Sequence, residues 1–151
     1  MHEVCVTHDF SFPPEKVFAG ICDHAVFLTN AQIHCRLIRA GDTERNGCGA
    51  VREVRSGPFR FEEEITNFNS PHDFEYRIRT FRGPLNFKMP FHHEMGRIQL
   101  ETIEQQTRVT WVSRFHFSIP LIGIWLDRQL SKSISDTFNF FLSRLDARLN
   151  K

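Results

Sequence analysis

The sequence predicts an α+β fold in which one seven-stranded antiparallel sheet curves beneath a single long C-terminal helix. Three observations carry that expectation. Residues 32–118 read as six consecutive strand-like segments separated by short turns. An apolar stripe then recurs every three or four residues to the C-terminus. One strand and two short helical stretches precede both. The order is therefore strand, helix, helix, six strands, helix, in a single domain over residues 1–151.

The first strand is read in Glu3–Phe12, where Val4, Val6 and His8 alternate with Cys5, Thr7 and Asp9. Pro13 and Pro14 end it and suit a helix start, because the first helical turn has no use for a proline N–H. Val17, Phe18 and Ile21 fall at helical spacing in the segment that follows. Asp23 is placed to cap a second short helix running to about Asn30. Breaks at Gly41–Gly47, Ser56-Gly57-Pro58, Asn69-Ser70-Pro71, Arg82-Gly83-Pro84 and Gln105 leave strands at 32–40, 48–56, 59–69, 73–81, 90–104 and 107–118. Loops this short favour consecutive antiparallel hairpins. After Pro120, Leu126, Leu130, Ile134, Phe138, Phe141, Leu142, Leu145 and Leu149 share one helical face. One helix cannot fill a strongly curved sheet, so a cavity is expected between the two.

Composition narrows the function classes. With 40% apolar and 25% charged residues the chain is an ordinary globular protein, and sixteen phenylalanines must fill a core or line a hollow. Nineteen basic against eighteen acidic residues give a formal charge of +1, without the basic excess of a nucleic-acid binder. No stretch approaches the apolar length of a membrane span, so no stable membrane anchoring is expected. The N-terminus lacks the pattern of a signal peptide, and Cys5, Cys22, Cys35 and Cys48 form no metal-type pair. A cytoplasmic location with reduced thiols is the expectation.

A series of short motifs in matching order resembles the helix-grip superfamily, also called SRPBCC or START-like, and within it the polyketide cyclase/dehydrase-like branch. They are FPPEKVF at 12–18, ICD at 21–23, GAVR at 49–52, EEIT at 63–66, SPHDFEYRI at 70–78, GPL at 83–85, GRIQL at 96–100, TRVTW at 107–111 and PLIG at 120–123. The resemblance implies a helix-grip fold enclosing a ligand cavity. Where relatives carry a tryptophan late in the second short helix, this chain has Phe27-Leu28-Thr29, and Gln105-Gln106 replaces the usual glycine turn.

Strand alternation assigns faces. Val109, Trp111, Ser113, Phe115 and Phe117 form the inward set of the last strand. Phe61, Glu63 and Ile65 point inward from the fourth strand, and Phe74, Tyr76 and Ile78 from the fifth. Ile98 and Leu100 set the parity of the sixth, which aims His92 and Glu94 inward unless a bulge exchanges His92 for His93. The third strand is ambiguous by pattern. The resemblance, in which a basic residue of that strand enters the pocket, places Arg52 inward. Ile134 and Phe138 complete the lining from the helix.

A hollow of apolar walls with a few convergent polar groups is the general form of a small-ligand site. The expected function is binding or transport of a hydrophobic small molecule, such as a lipid, aromatic or polyketide-like compound, with Arg52 or Tyr76 holding one oxygen. Arg52 and Glu63 equally suit an internal ion pair. The alternative is a cyclase, aromatase or dehydratase in which Arg52 stabilises an enolate and Tyr76 or Glu63 moves a proton. The third is a protein-interaction module, as in the chaperone-ATPase activator branch, presenting Phe87, Met89 and Phe91. No cofactor is expected. His92 and Glu94 could share a metal, but spacing supplies no third ligand, so no metal site is assigned. Monomer and homodimer both remain open.

Overall fold

A computed structural model describes every residue from Met1 to Lys151. Strand β1 (His2–Phe10) leads through Pro13 into α1 (Pro14–Cys22) and α2 (His24–Phe27). Six strands follow: β2 (Ile33–Arg39), β3 (Val51–Ser56), β4 (Phe59–Asn69), β5 (Asp73–Arg82), β6 (Phe91–Ile103) and β7 (Gln106–Phe117). The chain ends in α3 (Gly123–Leu149), 27 residues long and so about 40 Å from end to end. All seven strands form one antiparallel sheet in the order β1-β7-β6-β5-β4-β3-β2. The hairpin order from β2 to β7 follows from the short loops, and β1 closes the far edge against β7, His2 opposite Phe115.

Pro14 opens α1 without a side-chain cap, and Val17, Phe18 and Ile21 are buried beneath it. The second helix is shorter than the sequence indicates. It stops at Phe27, and Asp23 makes no side-chain capping bond. Its last carbonyls are taken instead by Arg144 of α3, which donates to Val26 O, Phe27 O and Thr29 O. A long-range clamp thus satisfies carbonyls at and just beyond the C-terminal end of α2.

Helix α3 lies along β1 and β7. Its C-terminal half is the tightly held part, with Phe141, Leu142 and Leu145 fully buried and His8 of β1 bonded to Asp146 at 2.7 Å. At its other end Asp127 is buried and accepts the Phe117 N–H at 2.8 Å. On the outer face of the sheet, Arg36 and Arg55 share Glu53, while Arg39 and Arg79 share Glu64. Those flanking guanidiniums hold the Glu53 carboxyl below the usual range. The four cysteines are free thiols. Cys35 is buried, whereas Cys5 points outward from β1 and is exposed.

Candidate functional site

The inner face of the sheet carries the residues that alternation selects. Glu63, Phe74, Tyr76, Ile98, Leu100, Trp111, Ser113 and Phe115 are all buried there. Arg52 joins them at 2% exposure, which resolves the ambiguous parity of β3 in favour of the inward reading. One expectation fails. A register shift between His93 and Met95 moves the alternation of β6 by one residue, so His92 and Glu94 are exposed and His93 takes the interior position. That shift also separates the two residues that could have shared a metal from the interior, and no group of three His, Cys, Asp or Glu side chains gathers elsewhere in the chain.

Arg52 is the centre of the polar cluster. Its Nε donates to Glu63 Oε2 at 2.5 Å, and one Nη donates to His24 Nδ1 at 2.8 Å. Since Nδ1 accepts, His24 carries its proton on Nε2, which donates to the Asn46 carbonyl at 3.1 Å. Burial, with the Arg52 charge adding to it, pushes the His24 pKa down to about 3, so the ring is neutral. The Arg52 guanidinium also lies 4.9 Å from the centre of the Tyr76 ring. Two ions out of water repay their desolvation only with good geometry and further hydrogen bonds, and here both conditions hold.

A second polar row runs beside it. The Ile78 N–H donates to His93 Nδ1 at 3.0 Å, and His93 Nε2 therefore donates to Ser113 Oγ, also at 3.0 Å. Burial first, then the charge of Arg77, brings the His93 pKa down to about 4. His93 stacks on Tyr76 with ring centres 5.6 Å apart. The Tyr76 hydroxyl accepts from Trp111 Nε1 at 2.9 Å, and burial raises its pKa. Tyr76 lies flat over Gly96, its cross-strand partner. A Cβ at position 96 would fall 2.1 Å from the ring, so only glycine admits this arrangement.

Packing around these groups is uneven. Trp111 stacks on Phe138 with ring centres 3.6 Å apart and planes 7° from parallel, and Phe27 covers its other neighbourhood at 5.7 Å. Toward the start of α3 the covering thins. Phe61, Ile78 and Phe91 on the sheet and Leu130, Ile134 and Phe138 on the helix are only half-buried. Phe61, Phe81, Phe91 and Phe115 form a ladder of rings with neighbouring centres 5.1–5.8 Å apart. These apolar side chains are thus less completely covered than those at the C-terminal end of the helix.

Two hollows are measurable elsewhere. One, about 420 Å³, lies at the N-terminus of α3 between Met1, Phe117, Ile119, Leu121, Ile124 and Asp127. The other, about 330 Å³, lies where β1 meets α1 and the β6–β7 turn. Neither is lined by Arg52, Tyr76 or Trp111.

His24, Phe81, His93 and Phe91 are the members of the candidate site that sequence reasoning missed or offered only as alternatives. His24 had no signal beyond its place in a short helix following Asp23. For His93 the neighbouring Gly96 was the available cue, since glycine within a strand often accompanies a bulge.

A curved antiparallel sheet gripped by one long helix, with charge and aromatic rings on its concave face, defines a START-like helix-grip domain. The whole-chain comparison agrees. Residues 1–150 match the model of the family described as "Polyketide cyclase / dehydrase and lipid transport", and the chain belongs to that family. Among solved structures, it is similar to a START superfamily protein from Mycobacterium smegmatis at TM-score 0.75 and 11% identity, covering 99% of each chain. A protein from Thermus thermophilus matches at TM-score 0.74 and 16% identity, over 97% of this chain and 96% of that one. The Aha1 dimer from Colwellia psychrerythraea matches at TM-score 0.63 and 15% identity, over 97% and 94%. At such identities these structures speak for the fold alone. No curated protein matches the chain in sequence.

Proposed function

We propose that this protein binds a hydrophobic small molecule non-covalently, beneath the first half of α3 and against the ring ladder of Phe61, Phe81, Phe91 and Phe115. The observation that carries the reading is that Phe61 and Phe91 of the sheet and Leu130 and Ile134 of the helix pack against the core yet stay only half-buried. Apolar surface left partly in water inside a fold is stabilised by a guest that covers it. Ser113, beside Phe115 on β7, accepts from His93 and keeps its hydroxyl proton to donate, so it is the polar group for a ligand oxygen. Arg52 already gives its Nε and one Nη to Glu63 and His24, so its role is to hold the floor of the site. For the same reason the non-covalent reading ranks above a cyclase or dehydratase, which needs Arg52 free to meet a developing enolate.

Native mass spectrometry of gently purified protein tests this. A retained, denaturation-released hydrophobic compound supports the reading. Ligand-free protein that also fails to take up fatty acids or aromatic bicycles contradicts it.

A further inference from the structure

The end of the molecule where β7 hands over to α3 is unusually greasy. Leu85 and Leu121 are fully solvent-exposed, at 103% and 102%, and Phe87, Ile122, Ile124 and Trp125 range from 51% to 66%. These residues come from two separate stretches, the β5–β6 connection and the β7–α3 connection with the first turn of α3. The antiparallel order brings both to the same end of the sheet, and the Ser118 N–H joins them by donating to the Pro90 carbonyl at 2.8 Å. Phe59, in the β3–β4 turn at that end, is exposed as well.

Both tip leucines have left-handed backbone, φ 57° at Leu85 and φ 71° at Leu121. That conformation is unfavourable for a non-glycine residue. Here it turns each side chain away from the protein, so no internal packing offsets the cost. Two unrelated turns with the same feature at the same end call for an external apolar medium.

Charge says which medium. Segments 57–60, 82–91 and 117–128 contain four cations, Arg60, Arg82, Lys88 and Arg128, none with a carboxylate partner. Their only acidic residue is Asp127, which is buried against the Phe117 N–H. Protruding apolar tips ringed by unpaired cations match an anionic bilayer surface, in which side chains enter the acyl boundary while lysine and arginine meet headgroup phosphates. Single side chains at full exposure need a medium that deforms around them. Tryptophan at such a border is favourable, since its ring is apolar and its N–H wet.

We propose that this end of the protein docks reversibly on anionic lipid bilayers, inserting Leu85, Phe87, Leu121 and Trp125. The proposal stands apart from ligand binding beneath α3, because these residues face outward. The test is co-sedimentation of the full chain with ligand-free vesicles of phosphatidylcholine, alone or mixed with phosphatidylglycerol, while tryptophan emission is followed. Trp111 is buried and supplies a constant background. The expected result is binding to the anionic vesicles with a blue shift that Trp125→Phe removes. The double variant Leu85→Ser/Leu121→Ser should bind at least about tenfold more weakly, and each of Lys88→Glu and Arg128→Glu roughly fivefold or more. Thermal melting should be unchanged in all four variants, since the side chains contact little of their own chain. No binding to anionic vesicles at low salt, or binding that the leucine variant leaves intact, overturns the proposal. So does concentration-dependent dimerisation abolished by the same leucine changes, which would make a second copy the occupant.

Discussion

Lowering the pH is the gentlest perturbation of the interior. His24 and His93 are 1% and 4% exposed and neutral in the folded protein, with pKa values pushed down to about 3 and about 4 from an ordinary 6.5. In the unfolded chain both take up a proton near their ordinary value. Between that value and the folded one, the unfolded state therefore binds more protons, and stability must rise with pH. The contribution is fully present above about pH 6.5 and drains away as the pH falls toward the folded values. Each histidine loses up to about 1.4 kcal/mol per pH unit in this window, so the pair loses roughly 3 kcal/mol between about pH 6.5 and about pH 5. For a domain this size that moves the urea midpoint down by roughly 2 M. The assay is urea denaturation followed by circular dichroism at a series of pH values in that window, which lies above the range where carboxylates titrate. In His24→Gln/His93→Gln most of the slope should vanish, even though the double variant starts less stable. A midpoint that stays flat over the window, or an unchanged slope in the variant, refutes the claim that both rings are buried and neutral.

Three further outcomes follow from the packing. Arg52→Met leaves Glu63 buried without its cation and should cost about 3–5 kcal/mol, whereas Arg52→Met/Glu63→Leu should recover most of that loss; urea titration of both variants checks it. Gly96→Ala forces the Tyr76 ring from its place and should cost about 1–3 kcal/mol or more, with a changed near-ultraviolet signal from Trp111 as its hydrogen-bond acceptor moves. Arg144→Ala frees three carbonyls at and just beyond the end of α2 and should cost about 1–3 kcal/mol, with faster amide exchange in residues 24–30 than elsewhere.

The fold was legible because its signals are local and redundant. Gly57-Pro58, Pro71 and Gly83-Pro84 break the strands, and the stripe from Leu126 to Leu149 has one helical period. Much of the site was legible too, since alternation in β4, β5 and β7 is enough to point Glu63, Tyr76, Trp111 and Ser113 inward. Two things were not. The bulge after His93 exchanges one histidine for its neighbour, and Gly96 hints at a bulge in β6 without fixing which residue it displaces. His24 meets Arg52 across 28 positions, a contact fixed by how α2 docks and by the reach of Arg144. How closely α3 covers the sheet is of the same kind, because it depends on where Phe138 rests against Trp111, a matter of rotamer and helix position that no pattern of residue types specifies.

If the ring ladder under the first half of α3 receives an apolar guest, filling that space from the helix side must exclude it. Titrating the protein with a fluorescent fatty-acid probe tests this, in wild type and in Ile134→Trp, which adds bulk where the guest would lie. Saturable one-to-one binding that Ile134→Trp abolishes without lowering the melting temperature is the expected result. Absence of saturable binding, or equal binding in the filled variant, would contradict it.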